Sequence, residues 1–327
     1  MTALVEPTIS RYSGRPGYEG ANIGPWIGFK HFLYQVEEAV RDHFRKRGLG
    51  AGRLYSEHGV TLDLTEISAR LPTPVLADDI VEVELRPMEP VDAFAASCRM
   101  TASREGTRRM VLTGSLKARL LPLSDPPAKV ELPVWCAPFT HRDRGRHLSG
   151  AETPSTALTV LREILAPETG DDIGTNRVTT PVENGLVISQ RVPYYFCHGS
   201  ERLQFSGYVR MIEEAVDLFL AQRQISVGSV LKERHWIPVA SKVRLTMHAS
   251  AYMEETLHTV FTLDSIVKDV LHTGRLECFV CRGDVLVHTA TATITHGYAV
   301  TQGPDMGTLV EFDAATTAAL QGGGASR

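Results

Sequence analysis

Phe32-Leu-Tyr-Gln-Val-Glu-Glu-Ala-Val40 and Tyr208-Val-Arg-Met-Ile-Glu-Glu-Ala-Val216 share one pattern: an aromatic residue, then Glu-Glu-Ala-Val. The two stretches stand 176 positions apart. The same offset carries Arg47 to Arg223, Gly52 to Gly228, Glu57 to Glu233 and Asp78-Asp79 to Glu254-Glu255. The chain reads as one small fold written twice, because self-similarity at a fixed spacing is the mark of a repeated architecture. In the first copy Phe32, Leu33, Val36, Ala39, Val40 and Phe44 recur at helical spacing and predict a helix over 30–47, ended by Gly48 and Gly50. In the second, Tyr208, Met211, Ile212, Ala215, Val216, Phe219 and Leu220 predict a helix over 207–223.

Each predicted helix is followed by strand-like sequence. Over 60–121 apolar and polar residues alternate, as in Val81, Val83 and Leu85 against Glu82 and Glu84, and Arg104-Glu-Gly-Thr107 is a hairpin turn signal. The second copy has such segments around 241–248, 255–266, 271–281 and 285–296, with Arg282-Gly283-Asp284 as the matching turn. A helix apolar over most of its girth must be wrapped, and a curved antiparallel sheet can do that. The expected division is a first unit at 10–122, a linker at 123–185 rich in Pro, Thr and Gly, a second unit at 186–299, and a tail at 300–327 disordered at its end. Residues 154–165 could form a short helix in the linker.

The 327 residues are 43% apolar and 22% charged, as expected of packed cores. A net charge of −4 without a basic patch argues against nucleic-acid binding. The run Arg142-Asp-Arg-Gly-Arg-His147 reads as a solvated loop. No early apolar run suggests a signal peptide and no stretch suggests a membrane span, so a cytoplasmic protein is expected. The five cysteines are scattered. Cys278-Phe-Val-Cys281 is formally a paired motif, but residues three apart on a strand face opposite sides, which argues against zinc or redox chemistry. No metal or other cofactor is expected, and His235, His248, His258, His272, His288 and His296 read as plain strand or loop residues.

The helix motifs, with Ala77-Asp-Asp-Ile-Val-Glu-Val83 and Val287-His-Thr-Ala-Thr-Ala-Thr-Ile294, resemble the hotdog-fold superfamily, in the branch of 4-hydroxybenzoyl-CoA thioesterase. The resemblance covers about 15–122 and 187–298. It implies an α+β double hotdog: two tandem units, each with a curved antiparallel sheet wrapped around a long central helix, standing in for the usual homodimer. It also implies acyl thioester hydrolysis, with acyl-CoA or an acyl carrier protein as substrate partner, in polyketide or fatty-acyl metabolism. Two such chains could still associate as a homodimer of double hotdogs.

The family's catalytic Asp falls ten residues before the helix aromatic. Here that place is Asn22 in the first copy and His198 in the second, and the offset pairs the same two residues independently. Neither is an acid. Asn22 resembles the Asn of some polyketide-pathway hotdog thioesterases. Hotdog dehydratases carry a His with a Gly nine residues on, as His198 and Gly207 do, but their helix acid comes fourteen residues on, where Ile212 stands and Glu213 is one place late. A dehydratase or isomerase acting on a β-hydroxyacyl thioester is therefore the alternative enzyme, and a non-catalytic acyl-binding or partner-binding protein the third reading.

Thioester hydrolysis needs a base or nucleophile, donors for the developing oxyanion, and an acyl slot. His198 can serve as base, since histidine exchanges its proton near neutral pH. Backbone N–H groups at Phe205 to Gly207, at the start of the second helix, are the expected oxyanion donors. Pro193-Tyr-Tyr-Phe196, with Tyr195 and Tyr208, would line the slot; Gly207 would let a ligand approach, and Ser200 or Glu201 would orient the imidazole or a water. Trp26 and Phe29 would occupy the matching space in the first copy. Of Glu37, Glu38, Glu213 and Glu214, neighbours on a helix point about 100° apart, so one of each pair can face inward; Glu38 and Glu213 are the candidate acids. Cys197 beside His198 is a conceivable nucleophile, although adjacent residues of an extended chain point apart.

Overall fold

The computed structural model describes residues 9–89, 92–126, 130–141, 156–165 and 177–322. The run Arg142–His147 and the last five residues lie outside them. The chain divides into two compact units, Met1–Leu148 and Ser149–Arg327.

In the first unit β1 (Ser10–Gly14) precedes α1 (Phe29–Arg45) and a short α2 (Ala51–Ser56), followed by β2 (Val60–Arg70), β3 (Ile80–Pro87), β4 (Phe94–Arg104) and β5 (Thr107–Pro122). The strands are antiparallel in the order β1-β3-β4-β5-β2. The apolar residues of α1 are buried: Leu33, Val36 and Phe44 have no exposed surface. The predicted hairpin turn closes β4 on β5 through the pair Arg104–Thr107, with Glu105 at φ 49° and Gly106 at φ 78°. Both central residues lie in the left-handed region, the geometry of the two-residue hairpin that Gly makes accessible.

The second unit opens with α3 (Thr156–Ile164), then β6 (Val178–Val182), β7 (Gly185–Arg191), α4 (Phe205–Gln222), α5 (Val227–Arg234), β8 (Trp236–Met247), β9 (Thr256–Val267), β10 (Leu271–Arg282), β11 (Val285–Val300) and α6 (Ala314–Leu320). Its sheet runs β8-β11-β10-β9-β7-β6, the order of the first unit with β6 added at the edge. Both long helices and both short ones begin at the same offset, Phe29 with Phe205 and Ala51 with Val227.

Several elements lie outside the helices and strands that the residue pattern predicts. β6 lies in the stretch expected as linker and pairs with β7. The segment after Val300 is tied back by Val310 N–H to Tyr298 O at 2.9 Å and ends in α6, capped by the Asp313 side chain on Thr316 N–H at 2.7 Å. The short helices α2 and α5 have too few apolar residues to show a period; α5 is started instead by the Ser226 hydroxyl accepting from Ser229 N–H at 3.2 Å.

One ion pair recurs in both units. Asp79 is wholly buried; it accepts from Leu76 N–H at 2.9 Å and from Arg104 at 2.7 and 3.1 Å, with Arg109 at 3.6 Å. Burial alone would raise its pKa, but Arg104 and Leu76 outweigh it and hold the carboxyl below its ordinary value. In the second unit Glu255 caps Tyr252 N–H at 2.7 Å and receives Arg282 at 2.8 and 3.0 Å. Both acids stand beside a bridge to the segment leading into the long helix, Trp26–Leu76 and Arg202–Tyr252. Arg104→Ala leaves the buried Asp79 with the weaker Arg109 contact, so a urea titration should show a loss of about 3 kcal/mol.

Candidate functional site

The segment from β7 to α4 is pinned along its length. A turn at Tyr194–Phe196 is closed by Cys197 N–H on Tyr194 O at 2.9 Å, Leu203 N–H reaches Ala251 O at 2.8 Å, and Gln204 N–H reaches Phe196 O at 3.0 Å. His198 lies at the exposed bend between these anchors, beside Gly199 at φ 71°. Among the described residues its ring makes no hydrogen bond, which leaves both nitrogens open to solvent or ligand. Cys197 Sγ is directed at Pro193 O, 3.8 Å away, and burial pushes its thiol up to about 11; with no base at the sulfur among the described residues, the Cys197 nucleophile is set aside. The aromatic residues do not close a slot here: Tyr194 and Tyr195 are 73% and 53% exposed, in an edge-to-face row with Phe196.

At the start of α4 the expected donors separate. Gly207 N–H is bound to Gln204 O at 3.0 Å, and Tyr208 N–H to the same oxygen at 3.2 Å. Gly207 is thus spent in the first turn and is no oxyanion donor. Nor does it admit a ligand: a Cβ there would meet Leu203 Cδ1 at 2.6 Å and Phe196 Cβ at 3.0 Å, so its missing side chain seats the protein's own loop. Phe205 N–H, at the first position of the helix, has no acceptor among the described residues. Ser200 Oγ accepts from Arg202 N–H at 3.2 Å and from Gln204 Nε2 at 3.4 Å, so it braces the loop. Tyr208 is a core residue, 1% exposed, whose phenol burial pushes up; its hydroxyl stands near Thr289 without a hydrogen bond of ordinary geometry.

The first unit treats the same position differently. Asn22 N–H binds Trp26 O at 2.8 Å, Gly28 N–H binds Gly20 O at 2.8 Å, and the Asn22 amide lies over Gly28, where a Cβ would fall 2.7 Å from Oδ1. The offset puts Gln204 where Gly28 stands, so that covering position is filled in the second unit and His198 is left outside it. Trp26 is half-buried and Phe29 buried at the mouth of α1.

Of the helix acids in the first unit, Glu37 and not Glu38 turns inward. Glu38 is exposed, 4.0 Å from Arg45. Glu37 is 9% exposed and bonded to Arg41 at 2.9 Å; burial raises its pKa, against the opposing pull of Arg41, with buried Asp63 of β2 adding to the rise. Asp63 carries no sequence signal, since it sits in an apolar strand where alternation points it outward. In the second unit Glu213 and Glu214 are both half-buried, and Glu214 pairs with Arg177.

The sequence matches no protein-family profile and no curated protein. Solved structures do match. A protein described as an oleoyl thioesterase from Lactobacillus plantarum aligns over 93% of this chain and 99% of its own, with a TM-score of 0.54 at 13% identity. The 12:0-ACP thioesterase from Umbellularia californica aligns over 89% and 94%, with a TM-score of 0.54 at 10% identity. An acyl-ACP thioesterase from Bacteroides thetaiotaomicron aligns over 88% and 97%, with a TM-score of 0.51 at 12% identity. The fold is a double hotdog. Within it, the units share a scaffold and differ at the loop that enters the long helix.

The double hotdog brings His198 and the start of α4 into one pinned segment and takes Gly207 and Tyr208 out of the set of contacting groups. No helix among the described residues is long and apolar enough to cross a membrane.

Proposed function

We propose that this double hotdog hydrolyses an acyl thioester carried by CoA or an acyl carrier protein, and that the second unit is the active half. The observation that carries the reading is the difference between the two loops, both at the surface: an amide packed against Gly28 in the first unit, and in the second an imidazole that makes no hydrogen bond among the described residues. His198 acts as base toward water, or positions it. Phe205 N–H, at the positive end of the eighteen-residue α4, supplies one oxyanion donor. The exposed row of Tyr194 and Tyr195 offers an apolar wall to an acyl or pantetheine group. That the three structures above are described as thioesterases supports the reaction class, and a fatty-acyl or polyketide setting extends it. Five free cysteines accord with a reducing cytoplasm.

The test is a panel of acyl-CoA and acyl-carrier thioesters with released thiol followed by a chromogenic reagent. Free acid and thiol in equal amounts are expected. An enoyl thioester formed from a β-hydroxyacyl substrate, with no thiol released, would replace this reading with dehydration.

A further inference from the structure

On the face of the second sheet opposite α4, three strands bring a thiol, an imidazole and a hydroxyl into line. α4 meets the other face, where Phe219 packs on Phe261 at 4.9 Å. Strand alternation then puts Val187 and Ser189, His258 and Val260, and Phe279 and Cys281 together on the outer side. There Ala157 and Leu161 of α3 pack with Val187, Val260 and Phe279. Ser189 and His258 are register partners, and Ser189 Oγ lies 2.8 Å from His258 Nδ1 within buried surroundings. Cys281 Sγ lies 3.8 Å from Nε2 of the same ring. One tautomer satisfies both contacts: Nδ1–H donates to Ser189 Oγ, which leaves Nε2 as an acceptor facing the thiol. Burial holds the His258 ring down at about 4 and raises the Cys281 thiol above its ordinary value, so near neutral pH both are uncharged and the proton passes to Nε2 only in step with attack by the sulfur. Cys281 is exposed, while Cys98, Cys136 and Cys278 are buried.

We propose that Cys281, His258 and Ser189 form a second nucleophilic site, which accepts an acyl group from a thioester onto the Cys281 sulfur. The substrate class rests on the proposed function; the arrangement of the three groups does not. In the step, His258 Nε2 takes the Cys281 proton as the sulfur bonds to the acyl carbonyl carbon. The bond from that carbon to the carrier sulfur breaks, and the carrier thiolate leaves with the proton from the imidazolium. One thioester replaces another, with no oxidant and no water consumed. Ser189 is a positioning residue: its hydrogen bond to Nδ1 holds the orientation of the ring, and it touches no reacting atom.

The experiment exposes the full chain to octanoyl-CoA, quenches in acid, and reads each cysteine-containing peptide by mass spectrometry. An octanoyl adduct on Cys281 is expected, at least tenfold above that on half-buried Cys197. His258→Asn should slow its formation by about 100-fold, the scale of losing a general base. Ser189→Ala should slow it by a smaller factor that imidazole in the buffer does not restore. If His258→Asn loses its circular dichroism, the Ser189→Ala rate decides the question. His198→Ala should leave the adduct in place while lowering multiple-turnover thiol release, so failure of one site is distinguishable from failure of the other. No adduct on Cys281, or one that forms at an unchanged rate in folded His258→Asn and Ser189→Ala, would overturn the proposal.

Discussion

His198→Ala should lower kcat for thioester hydrolysis by about 100-fold or more, with KM changed far less. The size follows from the role. A positioned base contributes in the transition state, where a proton leaves the attacking water, and little in the ground state. The split between kcat and KM separates this role from loss of a binding contact, which would raise KM. His198 is exposed and, among the described residues, makes no hydrogen bond, so its removal should not disturb the fold. Urea midpoints for wild type and variant should coincide. His198→Asn puts the first unit's residue into the second unit's loop, and should be as inactive as the alanine variant because an amide takes no proton at neutral pH. Wild-type kcat in either variant would remove His198 from the reaction and leave the start of α4 without a base.

The second large effect is acid lability of the second unit. His258 and His272 are held near pKa 4 by burial, and His296 near 3 by burial and by His272. The rings of His272 and His296 stack 5.8 Å apart under Tyr298 and Phe312, and neither nitrogen of His272 has a hydrogen-bond partner among the described residues. All three values lie below the ordinary 6.5, so the unfolded chain binds protons that the folded unit refuses. Their contribution to stability is fully present above about pH 6.5 and is lost as pH falls through 6.5 toward 4. At pH 5 a single group shifted in this way costs about 2 kcal/mol, and all three act in the same direction. Urea unfolding followed between pH 7.5 and pH 5 should therefore show the midpoint falling steeply. His272→Leu should flatten that slope by about one proton. A midpoint independent of pH would mean that these rings are protonated in the fold.

Among the described residues of the first unit, His43 is a comparable group, held at about 4 by burial. It packs between Phe44 and Phe94 and contacts the Ser10 hydroxyl at 2.6 Å. The acid response should thus be the weaker of the two in the first unit, a difference visible by hydrogen exchange at each pH.

The sequence by itself determined the doubled helix, the two hairpin turns and the pairing of Asn22 with His198. Those features rest on neighbours along the chain: apolar residues three and four apart, Gly where φ is positive, and one fixed offset. It could show that Glu37 and Glu38 cannot both face inward, but not which one does. That choice depends on Arg41, one turn along, and on Asp63 arriving from another strand. Gly207 looked like a gap for a ligand; only packing shows that Leu203 and Phe196 fill it. His258 and Cys281 lie on separate strands, and Ser189 on a third that the residue pattern did not reveal. Periodicity along one strand records which face a residue takes. Which residues meet across strands is set by register, through turn lengths and the bulge at Thr273/Gly274, and leaves no period in the sequence to read.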